Sequence, residues 1–187
     1  DVVLGGWSLG GIAAQLALAL YPERIQRLVL IGTTPPGVLA FPAEQLFYDT
    51  AGLETYGLAE ELILFFEPES EASRDAGARS AARIASRRPD DRSPPVPIDF
   101  ARAFLGDRPK PAPFPADAVL ELLRTTATPI LHLGGDHDII FPVENWYALN
   151  RQLPTLSLVT YPSAGHGPQH QHPEMAAAHI AAFIRGA

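Results

Sequence analysis

Short apolar runs alternate along this chain with longer stretches that read as helices. Val2-Val3-Leu4, Leu28-Val29-Leu30-Ile31, Ile130-Leu131-His132-Leu133 and Leu156-Ser157-Leu158-Val159 lack clean polar alternation, which predicts strands covered on both faces. Between the first two, Gln15 is the only polar side chain from Ile12 to Leu20, so Gly10 to Tyr21 predicts a buried helix, apolar nearly all round. Pro142 to Leu153 and Pro173 to Ile184 each follow a strand-like run and open with proline, which suits a first helical position. Strand, helix, strand alternation predicts an α/β fold on a parallel sheet.

The interval from Gly32 to Pro129 breaks this rhythm, being far longer than a crossover of about 30 residues requires. An insertion is expected there. Ala59 to Phe66 and Ala72 to Arg87 read as helices, and Pro89 to Pro115 reads as a proline-rich connector. Pro115 to Thr125 returns to the core as a helix with Val119, Leu122 and Leu123 on one side. The expected division is 1–34 and 116–187 as core, with 35–115 inserted. Arg83, Arg87, Arg88 and Arg92 are interleaved with Glu69, Glu71, Asp75, Asp90 and Asp91, the pattern of a solvated charged face.

Composition narrows the function. With 187 residues, 47% hydrophobic and 19% charged, the chain has ordinary globular values for one domain or slightly more. Twenty-one acidic against 14 basic side chains, a net charge of −7, give no positive field for nucleic acid or acidic lipid. Without cysteine there is no disulfide, thiolate metal site or cysteine nucleophile. Gln15 and Glu23 interrupt the longest apolar stretch, so no membrane-spanning helix is expected. Asp1-Val2-Val3-Leu4-Gly5 has neither Met nor a basic region, so it reads as a start inside a longer gene rather than a secretory signal, with the cytoplasm as the expected location.

Gly6-Trp7-Ser8-Leu9-Gly10-Gly11 lies between a strand-like run and a helix, the context in which G-x-S-x-G carries chemistry. A sharp turn there projects the Ser8 hydroxyl, and small residues at Gly6 and Gly10 allow close backbone approach. Helix N-terminal N–H groups, that of Leu9 included, would face the oxyanion of a tetrahedral intermediate. A serine hydroxyl needs a base and a group to orient it. Gly165-His166-Gly167 follows the fourth strand and offers His166 as the base. Gly134-Gly135-Asp136-His137-Asp138 follows the third, and either aspartate could orient it.

The order Ser, Asp, His on strand ends resembles the α/β-hydrolase superfamily, in particular its BioH-like carboxylesterases and its lipase-like and haloperoxidase-like members. Gly6 to Gly11 is similar to the nucleophile elbow, and Pro22-Glu23-Arg24-Ile25 with Leu28 to Gly32 to its continuation. Gly135-x-x-Asp138-x-x-x-Pro142 resembles the acid loop, and Gly165-His166 followed by Pro173-Glu174 the histidine loop and last helix. The resemblance implies Ser8 as nucleophile, Asp138 as acid and His166 as base, with residues 35–115 as a helical cap. It implies a carboxylic ester, lactone or thioester as a small-molecule substrate, and no cofactor. A serine nucleophile, where some relatives carry aspartate, argues against epoxide hydrolase or dehalogenase chemistry.

Members of this superfamily have strands before the elbow and a loop that donates a second oxyanion N–H, whereas this chain starts at the elbow strand. An upstream segment or another chain is therefore expected along the first strand, a homodimer being one arrangement that supplies it. The rival function is a non-catalytic interaction module that kept the triad sequence; a cofactor-free lyase or perhydrolase shares the same residues. Asp136, His137, His166, His170 and His172 also carry metal-ligating groups, but at unspecific spacing, and His166 is accounted for without metal. His170 and His172 read as a solvated turn, and His132 and His179 as satisfied core histidines. Trp7 is either a substrate contact or a buried aromatic beside the elbow.

Overall fold

A computed structural model describes residues 2–37, 40–53, 57–87, 99, 103 and 116–186. Four strands, β1 (Val2–Trp7), β2 (Ile25–Ile31), β3 (Ile130–Gly135) and β4 (Leu156–Tyr161), form a parallel sheet in the order β1-β2-β3-β4. The helices are α1 (Leu9–Leu20), α2 (Gln45–Ala51), α3 (Leu58–Phe65), α4 (Glu71–Arg87), α5 (Ala116–Thr125), α6 (Glu144–Leu149), α7 (Pro168–Gln171) and α8 (Pro173–Arg185). Each strand-like run of the sequence is a strand, extended by a few residues. The proline-rich connector, with Arg88, Asp90, Asp91 and Arg92, lies outside the described residues apart from positions 99 and 103. Among the described residues, no helix is long and apolar enough to cross a membrane.

Side chains of a strand alternate between faces, and β3 uses both for burial. Ile130 joins Leu28 and Leu30 of β2, Ala14 and Leu18 of α1, Val119 and Leu123 of α5, and Trp146 of α6 in one cluster. Leu131 and Leu133 join Tyr161, Ala164 and Ala176 of α8 in a second. All six residues of β3 are buried, which is why its sequence shows no polar alternation.

Coverage is incomplete elsewhere, contrary to the sequence expectation. β1 lies at an edge and pairs only with β2 among the described residues, and Val2 and Val3 are 51% and 39% exposed. Helix α1 buries Ile12, Ala14, Gln15 and Leu18 yet exposes Leu9 and Leu20, so its all-round apolarity marks an uncovered face rather than full enclosure. Helix α6 is shorter than expected, with Val143 as its N-cap.

The segment after β2 is stitched across the core. Gln15 Nε2 donates to the Thr34 carbonyl (3.0 Å) and Trp146 Nε1 to that of Thr33 (2.7 Å). Asn145 accepts from the Phe41 N–H (3.1 Å) and donates to the Phe41 carbonyl (2.7 Å). Glu44 N–H reaches the Ile139 carbonyl (2.8 Å), tying the segment before α2 to the loop after β3.

His132 is a core histidine, but not a satisfied one. It stacks on Trp146 (centroids 4.6 Å apart) with both ring nitrogens buried and, among the described residues, without a hydrogen-bond partner. Burial pushes its pKa down to about 3; a pull from the Thr33 backbone acts the other way and loses, that carbonyl being bonded to Trp146. The folded ring is neutral while the unfolded one protonates below about 6.5, so the folded state loses stability as pH falls from about 6.5 towards 3. His132→Phe should flatten the acid limb of a pH series of denaturant midpoints by on the order of a few kcal/mol. An unchanged limb would assign acid sensitivity to other groups.

Candidate active site

Ser8 stands alone between β1 and α1. Its backbone has φ 57° and ψ −125°, a conformation that costs a residue with a Cβ about 1–3 kcal/mol. Three hydrogen bonds hold it there. Ser8 N–H donates to the Ile31 carbonyl (3.0 Å), and its own carbonyl accepts from Gly11 N–H (2.9 Å) and the Thr33 hydroxyl (2.7 Å). A Cβ at position 6 would sit 2.1 Å from the Gly10 carbonyl oxygen, so this turn requires Gly6. A Cβ at position 10 would meet nothing within 4 Å among the described residues, which confines the expected steric need to Gly6. Leu9 begins α1, and its N–H has no intrahelical acceptor, as for any first helical residue.

Beyond β3 the two aspartates divide their roles. Asp138 Oδ1 accepts from the Ile140 and Phe141 N–H groups, each at 2.9 Å, and Oδ2 lies 2.9 Å from His166 Nδ1. Both side chains are 1% exposed. Facing a carboxylate, Nδ1 carries the proton, which leaves Nε2 of the neutral ring as an acceptor. Nε2 is buried and has no hydrogen-bond partner among the described residues. Asp136 instead accepts from Ala164 N–H (3.2 Å) and lies 2.7 Å from His137 Nδ1, so it fastens the loop after β3 to the loop after β4. The hydrogen bond to Asp136 raises the His137 pKa despite opposing desolvation, with the charges of Asp136, Glu67 and Glu44 adding to the rise.

His166 and Ser8 belong to the same end of the sheet. Trp7 Nε1 donates to the His166 carbonyl at 2.9 Å. Gly32, at φ 43° just past β2, is so close that a Cβ would lie 2.5 Å from the His166 carbonyl oxygen and 3.4 Å from Nδ1. The imidazole is surrounded by Trp7 (5.7 Å), Phe65 (5.9 Å) and Phe141 (5.5 Å).

His170 and His172 are not a solvated turn. Pro168–Gln171 is a short helix in which His170 packs edge-on against Trp7 (5.2 Å), while His172 stacks on Tyr161 (5.3 Å). Burial lowers the His170 pKa, with the Arg83 guanidinium adding to the effect. His179 is satisfied by the Tyr161 hydroxyl at 2.8 Å. Among the described residues, no group of three or more His, Asp or Glu side chains could hold a metal ion.

Thr33, Phe65 and Phe141 escaped the sequence reading. Thr33 sits beside a strand end that was read, but nothing local says that its hydroxyl reaches Ser8. Phe65 lies on α3, remote in sequence from everything it touches.

Residues 1–173 match the family model described as alpha/beta hydrolase fold. The pimeloyl-[acyl-carrier protein] methyl ester esterase of Aromatoleum aromaticum is 29% identical, the alignment covering 100% of this chain and 75% of that protein. Its namesake in Nitrosomonas europaea is 30% identical, covering 90% and 66%. Among solved structures, a thermophilic esterase from Thermogutta terrifontis superposes with a TM-score of 0.65 at 26% identity, covering 100% of this chain and 65% of that one. A serine hydrolase from Cycloclasticus zankles gives 0.69 at 21% identity, covering 100% and 64%. The chain thus spans 64–65% of these two solved proteins. With most of its length matching the family model, and esterases among its relatives, the chain belongs to the alpha/beta hydrolase fold family and is esterase-like within it.

Proposed function

We propose that the protein cleaves a carboxylic ester through an acyl-enzyme, with Ser8 as nucleophile, His166 as general base and Asp138 as the group that orients it. The observation that carries this reading is the enclosed Asp138–His166 hydrogen bond, which leaves Nε2 without a partner among the described residues at the sheet end bearing the strained Ser8 turn. As Ser8 Oγ attacks the acyl carbon, its proton passes to Nε2, and Asp138 stabilises the resulting imidazolium. Negative charge collects on the former carbonyl oxygen, towards the Leu9 N–H. The tetrahedral species then collapses, the alcohol leaves with the proton from Nε2, and water activated by the same nitrogen hydrolyses the acyl-enzyme. No step calls on a cofactor.

The names of the relatives support an acyl methyl ester as substrate, with lactones and thioesters open to the same chemistry. We assign the substrate-covering role to residues 35–115, between core segments 1–34 and 116–187. Supporting this, α3 brings Phe65 against both Trp7 and His166. The exposed edge of β1 supports a further pairing partner there, either more of the same polypeptide or another chain. Such a partner could supply a second oxyanion donor, a contribution typically worth about 3 kcal/mol.

A fluorophosphonate probe should label the chain at Ser8, and Ser8→Ala should abolish labelling. A folded sample that does not react would favour the non-catalytic module. Asp138→Asn should lower turnover by about 10⁴-fold, because the wrong imidazole tautomer is then favoured. Asp136→Asn should retain most activity while lowering thermal stability; near-normal turnover in Asp138→Asn would exchange the two roles. Gly32→Ala drives a methyl group onto the His166 carbonyl, so labelling should fall by at least about tenfold for a loss of little more than about 1 kcal/mol in transition-state stabilisation. Unaltered labelling would show that the base tolerates displacement.

A further inference from the structure

We propose that Trp7 is a positioning residue for His166, its indole N–H holding the backbone of the base in place beside Ser8. The inference deepens the esterase reading and rests on His166 being the base. Trp7 is the last residue of β1 and directly precedes Ser8. Its Nε1 donates to the His166 carbonyl at 2.9 Å, joining positions that lie 159 residues apart in sequence.

The rest of the histidine loop is fastened through other residues. Ala164 N–H is held by Asp136 (3.2 Å), the Ala164 carbonyl by His137 N–H (2.9 Å), and Gly167 N–H by the Phe65 carbonyl (2.8 Å). None of these anchors involves the peptide groups of His166 itself. The indole therefore fixes the one residue whose ring must meet both Asp138 and the Ser8 hydroxyl. His166 is buried, so removing the donor leaves its carbonyl without compensation, a larger penalty than losing a solvent-exposed hydrogen bond.

The ring is itself gripped. Phe65 meets it at 61° with centroids 5.8 Å apart, and His170 at 71° and 5.2 Å. Trp7 is nonetheless 36% exposed, so the same side chain can offer an apolar edge to a substrate without giving up the hydrogen bond. Tryptophan suits this task because it combines a large rigid body with a single donor and no acceptor. A role confined to substrate contact needs only the ring; a positioning role needs the N–H.

The test replaces Trp7 in the full chain with 3-benzothienylalanine, which keeps the bicyclic shape and substitutes sulfur for N–H, and separately makes Trp7→Phe. Hydrogen exchange across residues 163–167, thermal midpoint, the rate of Ser8 labelling, and kcat and KM on p-nitrophenyl acetate are read for each. In the benzothienyl variant the loop should exchange about tenfold faster, and labelling and kcat should fall about tenfold, with KM within about twofold of wild type. A rise in KM at constant kcat with unchanged exchange would overturn the proposal and make Trp7 a substrate contact alone. Should Trp7→Phe fail to fold, the isosteric variant decides. Should the wild-type chain not label at all, the esterase reading fails, while the exchange comparison still determines whether the indole N–H anchors the loop.

Discussion

A carboxylate withdrawn from water has to be met on every side, and Asp138 is almost completely withdrawn. Isolating such a charge costs several kcal/mol, and removing one partner of a buried pair typically costs about 3–5 kcal/mol. Asp138 meets the demand with two backbone N–H groups on one oxygen and His166 on the other. Once that carboxylate is buried, the loop after β3 has to turn back on itself to present the N–H groups of Ile140 and Phe141. The loop after β4 has to bring an imidazole within 2.9 Å of it. Asp136 and the backbone pairing of His137 with Ala164 serve the same closure, since they lock together the two loops that carry the pair.

The sheet makes this meeting local. β3 and β4 are parallel neighbours in register from Ile130 with Leu156 to Gly135 with Tyr161, so their carboxyl ends finish side by side. β1 and β2 end at the same rim, with Trp7 paired to Ile31. Ser8, Gly32, Asp138 and His166 thus come from four successive strand ends. The strain at Ser8 is stored in this frame, because its N–H continues the β1–β2 ladder through Ile31 while Thr33 grips its carbonyl from the other strand end. The backbone of Ser8 is therefore bonded at both sides and is not part of a freely rotating loop.

Much of this can be read from the residues. Strand positions followed from apolar runs because β3 and the middle of β2 are enclosed, and enclosure is what removes polar alternation. The elbow was readable because a glycine, a serine and a helix start in one hexapeptide leave few other conformations. What the sequence misrepresented was coverage: Val2, Val3, Leu9 and Leu20 are as apolar as core residues and lie exposed, since hydropathy records what a side chain prefers and not what stands beside it. The two aspartates could not be separated by composition, being two positions apart in one loop; the resemblance of Gly135-x-x-Asp138-x-x-x-Pro142 to the acid loop points to Asp138, and the direction of each carboxylate separates the partner of His166 from the fastener of Ala164. Phe65, at the end of α3, could not be tied to the site by any local pattern.

That last omission bears on how the site is built. Phe65 touches both Trp7 and the His166 ring, its carbonyl takes the Gly167 N–H, and the backbone of Phe66 lies so close to Gly165 that a Cβ there would come within 2.6 Å of its oxygen. The end of α3 is thus part of the wall that keeps the histidine loop in place, and not merely a cover above it. A shift of α3 would be transmitted through rigid backbone contacts to His166, the proposed base, because close-packed peptide groups have no slack to absorb it. In the proposed mechanism, substrate fit and the geometry of the base are therefore coupled at Phe65. Under the same proposal, changes in residues 35–115 that spare this helix end should be the ones free to alter substrate preference without disturbing proton transfer.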